Sequence, residues 1–154
     1  MEMPKITPEH KKLDRLVGRW RGEEKLYHSP WEPKGGAATG RVNNRSALDG
    51  FIVVQEYEQE RNGAATFRGH GVFSYDPDRK GYSMHWFDSM GGPPNEFKGD
   101  FEGNVLRLTA LAQMGHSRAT FDLSREDNYT FKMEVSQDGK QWYTFMEGNY
   151  AKER

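Results

Sequence analysis

The sequence contains no cysteine, and further absences narrow what the protein can be. Without thiols, disulfide bonds, thiolate metal sites and thiol catalysis are all excluded. No apolar run approaches the roughly 20 residues that a membrane-spanning helix requires. The N-terminal stretch MEMPKITPEH has neither the basic region nor the apolar segment of a secretory signal peptide. We therefore expect a cytoplasmic protein.

An excess of one charge is also missing. The chain has 22 basic and 23 acidic side chains, mixed along its length, for a formal net charge of −1. Neither a nucleic-acid-binding stripe nor a polybasic membrane anchor is present, so we expect no nucleic-acid partner and no membrane span. Motifs for a nucleophilic serine, a phosphate-binding loop or a dinucleotide are absent as well.

Aromatic residues are plentiful although hydrophobic residues as a whole are few. The hydrophobic fraction is 34%, but Phe, Tyr and Trp make up 13% of the 154 residues. Each large ring buries much area, so a few rings build a substantial core. The length fits one domain over residues 1–154.

One short helix is signalled near the N-terminus. Thr7 is a helix-capping residue and Pro8 suits the first helical position. Leu13 and Leu16 then share one face. The pattern predicts a helix at about residues 8–17.

Strand signals fill the rest of the chain. Asn62-Gly63 and Asp138-Gly139 are pairs typical of tight hairpins, and further Gly, Pro and Asp breaks recur at near-regular intervals. Between them lie ten segments rich in aromatic and β-branched residues, at about 19–28, 37–47, 51–60, 65–75, 81–88, 95–102, 104–112, 116–124, 128–136 and 140–150. These features predict an all-β protein, a closed up-and-down antiparallel β-barrel of about ten strands with a short N-terminal helix. A β-sandwich is the structural alternative.

The start of the first predicted strand resembles that of a known superfamily. A short helix, then Gly18-x-Trp20, then an up-and-down meander is similar to the calycins, which include lipocalins and fatty-acid-binding proteins. The segments LVGRWRGEEKL, ALDGFIVVQEYE, GHGVFSYDPDRKGYSMHWFDSMG and FMEGNYAKE resemble one bacterial calycin-like family known only as a domain of unknown function. The resemblance implies that Gly18 and Trp20 form the barrel floor beside the helix. Lipocalins usually stack an arginine over this tryptophan, and here only Lys152 and Arg154 follow the last strand.

The stretch MHWFDSMGG offers one candidate binding residue. Strand alternation places Asp88 on the same face as Trp86 and Met84, with His85 and Phe87 on the other face. A carboxylate beside an indole on a barrel wall could bind a ligand donor or move a proton. The alternative is that Asp88 caps the turn that follows.

Two arginines and three carboxylates are candidates for orienting a ligand. Arg45 or Arg118 facing into the barrel would bind a carboxylate or phosphate head group, and the alternative is a surface ion pair. Glu56 and Glu24 would be natural buried partners for them, or rim residues if strand parity switches at a bulge. Glu147 has the same ambiguity.

Histidine chemistry rests on a single position. The five histidines never occur at the spacings of zinc motifs. A lone histidine inside a calycin barrel can hold haem iron, and His85 is the best candidate, although an ordinary hydrogen-bonded histidine is the alternative.

Taken together, the sequence indicates a binding module that takes a small, partly apolar ligand, with an anionic head group as one version. The predicted site comprises Arg45, Glu56, Phe73, His85, Trp86, Asp88, Arg118 and Met133. No cofactor is expected beyond the haem alternative. A second hypothesis is a barrel enzyme (an isomerase, lyase or hydrolase) that uses Asp88 or Glu56 as acid or base. A third is a homodimeric scaffold with a filled interior.

Overall fold

The structure is a computed structural model that describes residues 2–30, 32–112 and 115–154. Helix α1 (Pro8–Lys11) continues as a 3-10 helix over Lys12–Leu16, and a second 3-10 helix covers Leu48–Gly50. The ten strands are β1 (Gly18–Leu26), β2 (Gly36–Ala47), β3 (Ile52–Arg61), β4 (Ala64–Asp76), β5 (Gly81–Asp88), β6 (Asn95–Glu102), β7 (Val105–Ala112), β8 (Gly115–Asp122), β9 (Asn128–Ser136) and β10 (Tyr143–Lys152).

The strands form one closed barrel in which each strand is antiparallel to its sequence neighbours. Strand β1 pairs with β2 on one side and with β10 on the other, so that Trp20 lies opposite Val42 and Lys152. This closure confirms the predicted all-β, ten-stranded up-and-down barrel and excludes the sandwich. The predicted N-terminal helix is also confirmed, with Thr7 accepting a hydrogen bond from the backbone N–H of His10.

The two predicted hairpin pairs behave differently. Asn62 and Gly63 both have positive φ, at 54° and 79°, and join β3 tightly to β4. The tight turn predicted at Asp138-Gly139 is wrong, because residues 137–142 form a longer loop. The Asp138 carboxylate accepts hydrogen bonds from the backbone N–H groups of Lys140 and Gln141, which holds those residues out of the ladder.

Trp20 lies at the closed end of the barrel, next to the N-terminal helices. It is 1% exposed, and its indole N–H donates to the carbonyl of Leu16 at 2.9 Å. The edge of Tyr129 meets its ring at a centroid distance of 4.8 Å, and Lys152 Nζ lies 5.5 Å from its ring centroid. The Lys152 ammonium group thus makes a cation–π contact with the Trp20 ring.

The opposite end of the barrel is open. Because neighbouring strands alternate in direction, the connections at residues 27–30 with 32–35, 62–63, 89–94 and 137–142 all lie at the end away from Trp20. Loops at a barrel mouth are where a ligand gains access to the interior. The fold therefore places any internal site between the Trp20 floor and these loops.

Replacing Trp20 tests how much the floor contributes to stability. Trp20→Ala removes a fully buried ring and its hydrogen bond, so we expect the free energy of unfolding to fall by about 3–5 kcal/mol. Phe87→Ala is the matched control, since Phe87 is 47% exposed. Urea titration followed by circular dichroism measures both, and equal losses in the two variants would contradict the role given to the floor.

Candidate functional site

The open half of the barrel encloses a cavity of about 660 Å³. Aromatic and apolar side chains line most of it, among them Trp86, Phe121 and Met133. Glu32 and Met90, in the connecting loops, lie at its mouth. A space of this size accommodates a small organic molecule. Its existence does not fit a scaffold with a filled interior.

Trp86 and Asp88 form a hydrogen-bonded pair on the cavity wall. The indole N–H of Trp86 donates to Asp88 Oδ2 at 2.9 Å, and the backbone N–H of Met90 donates to Asp88 Oδ1 at 3.0 Å. Asp88 therefore caps the turn after β5 and also lines the cavity. The two interpretations of Asp88 from sequence are compatible, because each carboxylate oxygen keeps a further lone pair.

Two glycines on the neighbouring strand make room for Trp86. A Cβ on Gly69 would lie 2.1 Å from Trp86 ring carbons, and one on Gly71 would lie 3.3 Å from another. The six-membered ring of Trp86 thus covers bare backbone. No other residue type at position 69 leaves the ring where it is.

A buried carboxylate, Glu24, lies deeper in the barrel. Glu24 is 2% exposed and accepts hydrogen bonds from the hydroxyls of Tyr57 and Tyr150 and from the side-chain amide of Gln59. The Tyr57 hydroxyl is 2.7 Å from Glu24 Oε2 and 2.9 Å from Oε1. We call Glu24, Tyr57, Gln59 and Tyr150 the Glu24 cluster. Neutral donors, rather than the arginines expected from sequence, satisfy this carboxylate.

Three further glycines surround the Glu24 cluster. A Cβ on Gly40 would lie 2.3 Å from Glu24 Oε2, and a Cβ on Gly148 would lie 2.3 Å from the Tyr150 hydroxyl. One on Gly22 would meet the Tyr150 ring at 2.7 Å. These glycines lie on the adjacent strands β2, β1 and β10, so this part of the barrel wall leaves room for the Glu24 cluster.

The buried tyrosines are held in their protonated form. Burial, with the Glu24 carboxylate adding to it, raises the pKa of Tyr57 and that of Tyr150 well above the usual tyrosine value. Burial also raises the pKa of Tyr129, again with Glu24 as the second cause. Tyr57 and Tyr150 consequently remain donors to Glu24 across the physiological pH range.

The structure does not bring the two predicted arginines into the cavity. Arg45 is exposed on the outer face of β2. Arg118 forms a two-point ion pair with Glu134, with both N–O distances 3.0 Å, and its guanidinium lies 4.2 Å from the Trp142 ring centroid. The interior placement predicted for both is therefore wrong, and the surface ion pair predicted as the alternative holds for Arg118.

Glu56 and His85 are also on the outer face. Glu56 pairs with His70, and His85 lies 2.9 Å from Glu96. Glu147 is exposed as well. His85 thus cannot reach iron held inside the barrel, and no histidine lines the cavity among the described residues.

The remaining predicted residues divide between cavity and core. Trp86, Asp88 and Met133 line the cavity. Phe73 faces inward but is 0% exposed and packs edge-on against Phe121 with a centroid distance of 5.5 Å, so it supports the cavity from below. Three of the eight predicted site residues are therefore at the cavity wall.

Sequence reasoning missed the inward face of β3. Gln55, Tyr57 and Gln59 line the cavity, whereas the sequence pattern predicts Glu56 on the inward face. Val53 and Val54 are both buried, so hydropathy at the start of β3 does not distinguish the two faces. The Gln-Tyr-Gln series at positions 55, 57 and 59 was the sequence pattern that could have indicated the inward face of β3.

The fold and the cavity together define a ten-stranded antiparallel barrel with an aromatic-lined interior. The chain belongs to the family described as protein of unknown function (DUF1579), whose model matches residues 5–152. This match agrees with the resemblance to a domain-of-unknown-function family. A search of curated proteins finds no match to the sequence.

Two solved structures share the fold. The crystal structure of Rv2717c from M. tuberculosis superimposes with a TM-score of 0.73 at 14% identity, covering 97% of this chain and 100% of the other. The S-type phycobiliprotein lyase CPES from Guillardia theta gives a TM-score of 0.64 at 12% identity, covering 97% and 99%. At these identities the likeness is one of fold alone.

Two further features are absent from the described part of the chain. No helix there is long and apolar enough to cross a membrane. Within residues 2–30, 32–112 and 115–154, no group of three or more His, Asp or Glu side chains is placed to hold a metal ion.

The buried tyrosines give the protein a defined response to alkaline pH. Since their pKa values are raised in the folded state, the unfolded chain loses tyrosine protons first, and stability should hold up to about pH 10 and fall above it. Tyr57→Phe should make this decline shallower. Tyr143→Phe, at a position 59% exposed, should not. Urea midpoints measured across this pH range test the prediction, and parallel curves for both variants would contradict it.

Gly69→Ala tests the packing of Trp86 on bare backbone. The added methyl group forces the ring to move, so we expect a loss of about 1–3 kcal/mol in unfolding free energy and a shifted tryptophan emission maximum. Gly92→Ala is the control, because its Cβ would meet nothing within 4 Å. An unchanged spectrum in Gly69→Ala would argue against the described position of Trp86.

Proposed function

We propose that this protein binds a small, partly apolar molecule inside the barrel, as a carrier or sensor. The observation that carries the proposal is the aromatic-lined cavity of about 660 Å³ beneath the open end. Apolar surface that water would otherwise cover favours an apolar guest. A few polar groups at fixed positions, chiefly Asp88 and Gln55, would orient it.

We also infer that the chain is a member of the calycin superfamily. The short helix, Gly18-x-Trp20 and the up-and-down closed barrel support this inference. The contact of Lys152 with the Trp20 ring supplies a counterpart to the lipocalin arginine. Calycin barrels hold their ligands internally, which fits the proposed site.

An enzyme is the second candidate, and one observation favours it. Asp88 places a carboxylate on the cavity wall, where it could transfer a proton to or from a bound molecule. The phycobiliprotein lyase shows by its name that a barrel of this architecture serves an enzyme. Glu56, the other carboxylate considered, lies outside the barrel and has no part in this alternative.

Binding of Nile red, an uncharged apolar dye, tests the proposed function. We expect saturable binding with blue-shifted emission. Ser117 lines the cavity, so Ser117→Trp should fill it and weaken dye binding by about tenfold or more, equivalent to roughly 1.4 kcal/mol. Thr130→Trp, on the exposed face of β9, is the control and should bind as the unaltered protein does.

Two results would contradict the proposal: no saturable dye binding, or binding that Ser117→Trp leaves unchanged. Native mass spectrometry of protein purified from its own host complements the dye experiment, because a retained molecule would identify the ligand directly.

A further inference from the structure

We propose that the ligand is an organic cation, a protonated amine on an apolar body, with its charged end at Asp88. This inference rests on the proposed function and assigns a ligand class to the same cavity. The sequence suggested an anionic head group bound by Arg45 and Arg118, but both arginines lie on the outer surface, so the cation takes the place of that hypothesis.

The charges along the cavity wall are of one sign. Among the described residues, the charged side chains that line it are Asp88 and Glu32, and none is a lysine, arginine or histidine. Glu32 at the mouth already pairs with Arg61. Within the described part of the chain Asp88 has no such partner: its hydrogen bonds come from an indole N–H and a backbone N–H. A cation in the cavity would supply the missing charge.

Glu24 adds negative charge behind the wall. The carboxylate is buried and its donors, two hydroxyls and one amide, are all neutral. No cation among residues 2–30, 32–112 and 115–154 pairs with Glu24, so its field in the low-dielectric interior is not cancelled. An anionic ligand would face repulsion from both Glu24 and Asp88, whereas a cation would be attracted by both.

The rings next to Asp88 also suit a cation. Trp86, hydrogen-bonded to Asp88, lies 6.2 Å from Tyr57 between ring centroids, and Tyr57 lies 6.2 Å from Phe67. All three line the cavity. The negative faces of aromatic rings attract ammonium groups, most strongly at tryptophan. A carboxylate that is hydrogen-bonded to one of three rings lining the same cavity favours an amine over an alcohol or an acid of equal length.

Competition against bound Nile red by decylamine, decanol and decanoate tests this selection. These molecules share one apolar chain and differ only in the head group. At neutral pH decylamine should displace the dye at a concentration about tenfold lower than decanoate, a difference of roughly 1.4 kcal/mol. In Asp88→Asn the preference for decylamine over decanol should fall sharply, because only Glu24 then attracts the cation, while the circular dichroism spectrum, the check on folding, is kept.

Glu56→Gln is the matched control, since it removes a carboxylate from the outer face and should leave the preference unchanged. If Nile red binds and decanoate displaces it as well as or better than decylamine does, the cation proposal is overturned and the proposed function stands. An amine preference that is undiminished in Asp88→Asn overturns the assignment to Asp88. Absence of specific dye binding overturns the proposed function itself, and the cation proposal with it.

Discussion

The pairing of β1 with β10 is the interaction on which the rest of the structure depends. It closes the sheet, so that alternate residues of every strand face one shared interior. Trp20 and Glu24 both lie on β1 at this seam, where Trp20 is opposite Lys152 and Glu24 is opposite Gly148. A shift of one residue in this pairing would place the inward side chains of one strand opposite the outward side chains of the other. Trp20 at the floor and the buried Glu24 carboxylate would then lose their neighbours.

In a closed barrel the side chains of all strands share one interior volume, and glycines leave room there for large side chains on neighbouring strands. Gly22, Gly40 and Gly148 clear the space in which Tyr150 and Glu24 meet. The Tyr150 ring packs on backbone where β1 pairs with β10, and the Trp86 ring packs on backbone at Gly69. Both rings therefore lie close to the barrel wall and leave the centre of the open half empty. The cavity volume thus depends both on the number of strands and on the pairing of large rings with glycines on neighbouring strands.

Much of the fold could be predicted from the sequence because its signals are local. Asn62-Gly63 requires positive φ at both residues and therefore marks a hairpin by itself. Gly18-x-Trp20 set the parity of β1, so the inward position of Glu24 was accessible. On β5 the parity was also readable, and Trp86 and Asp88 were placed correctly on one face.

The interior of the site could be predicted only in part, because its contacts are distant in sequence. Tyr57 is 33 residues from Glu24 and Tyr150 is 126 residues away, so nothing local reveals that they share a hydrogen-bonded cluster. On β3 the burial of both Val53 and Val54 hid the parity, and with it the orientation of Tyr57. An arginine on a strand carries no mark of whether its partner is a ligand or a neighbouring glutamate.

The separation of charge across the barrel wall follows from the cost of burial. Outside, Arg118 pairs with Glu134 where solvent reduces the cost of desolvating both groups. Inside, a guanidinium beside Glu24 would itself have to be desolvated and given hydrogen-bond acceptors, which often costs more than the pair contributes. Tyrosine hydroxyls and a glutamine amide satisfy the Glu24 carboxylate without a second buried charge. The negative charge of the interior is therefore a consequence of how the Glu24 carboxylate is satisfied, by neutral donors alone.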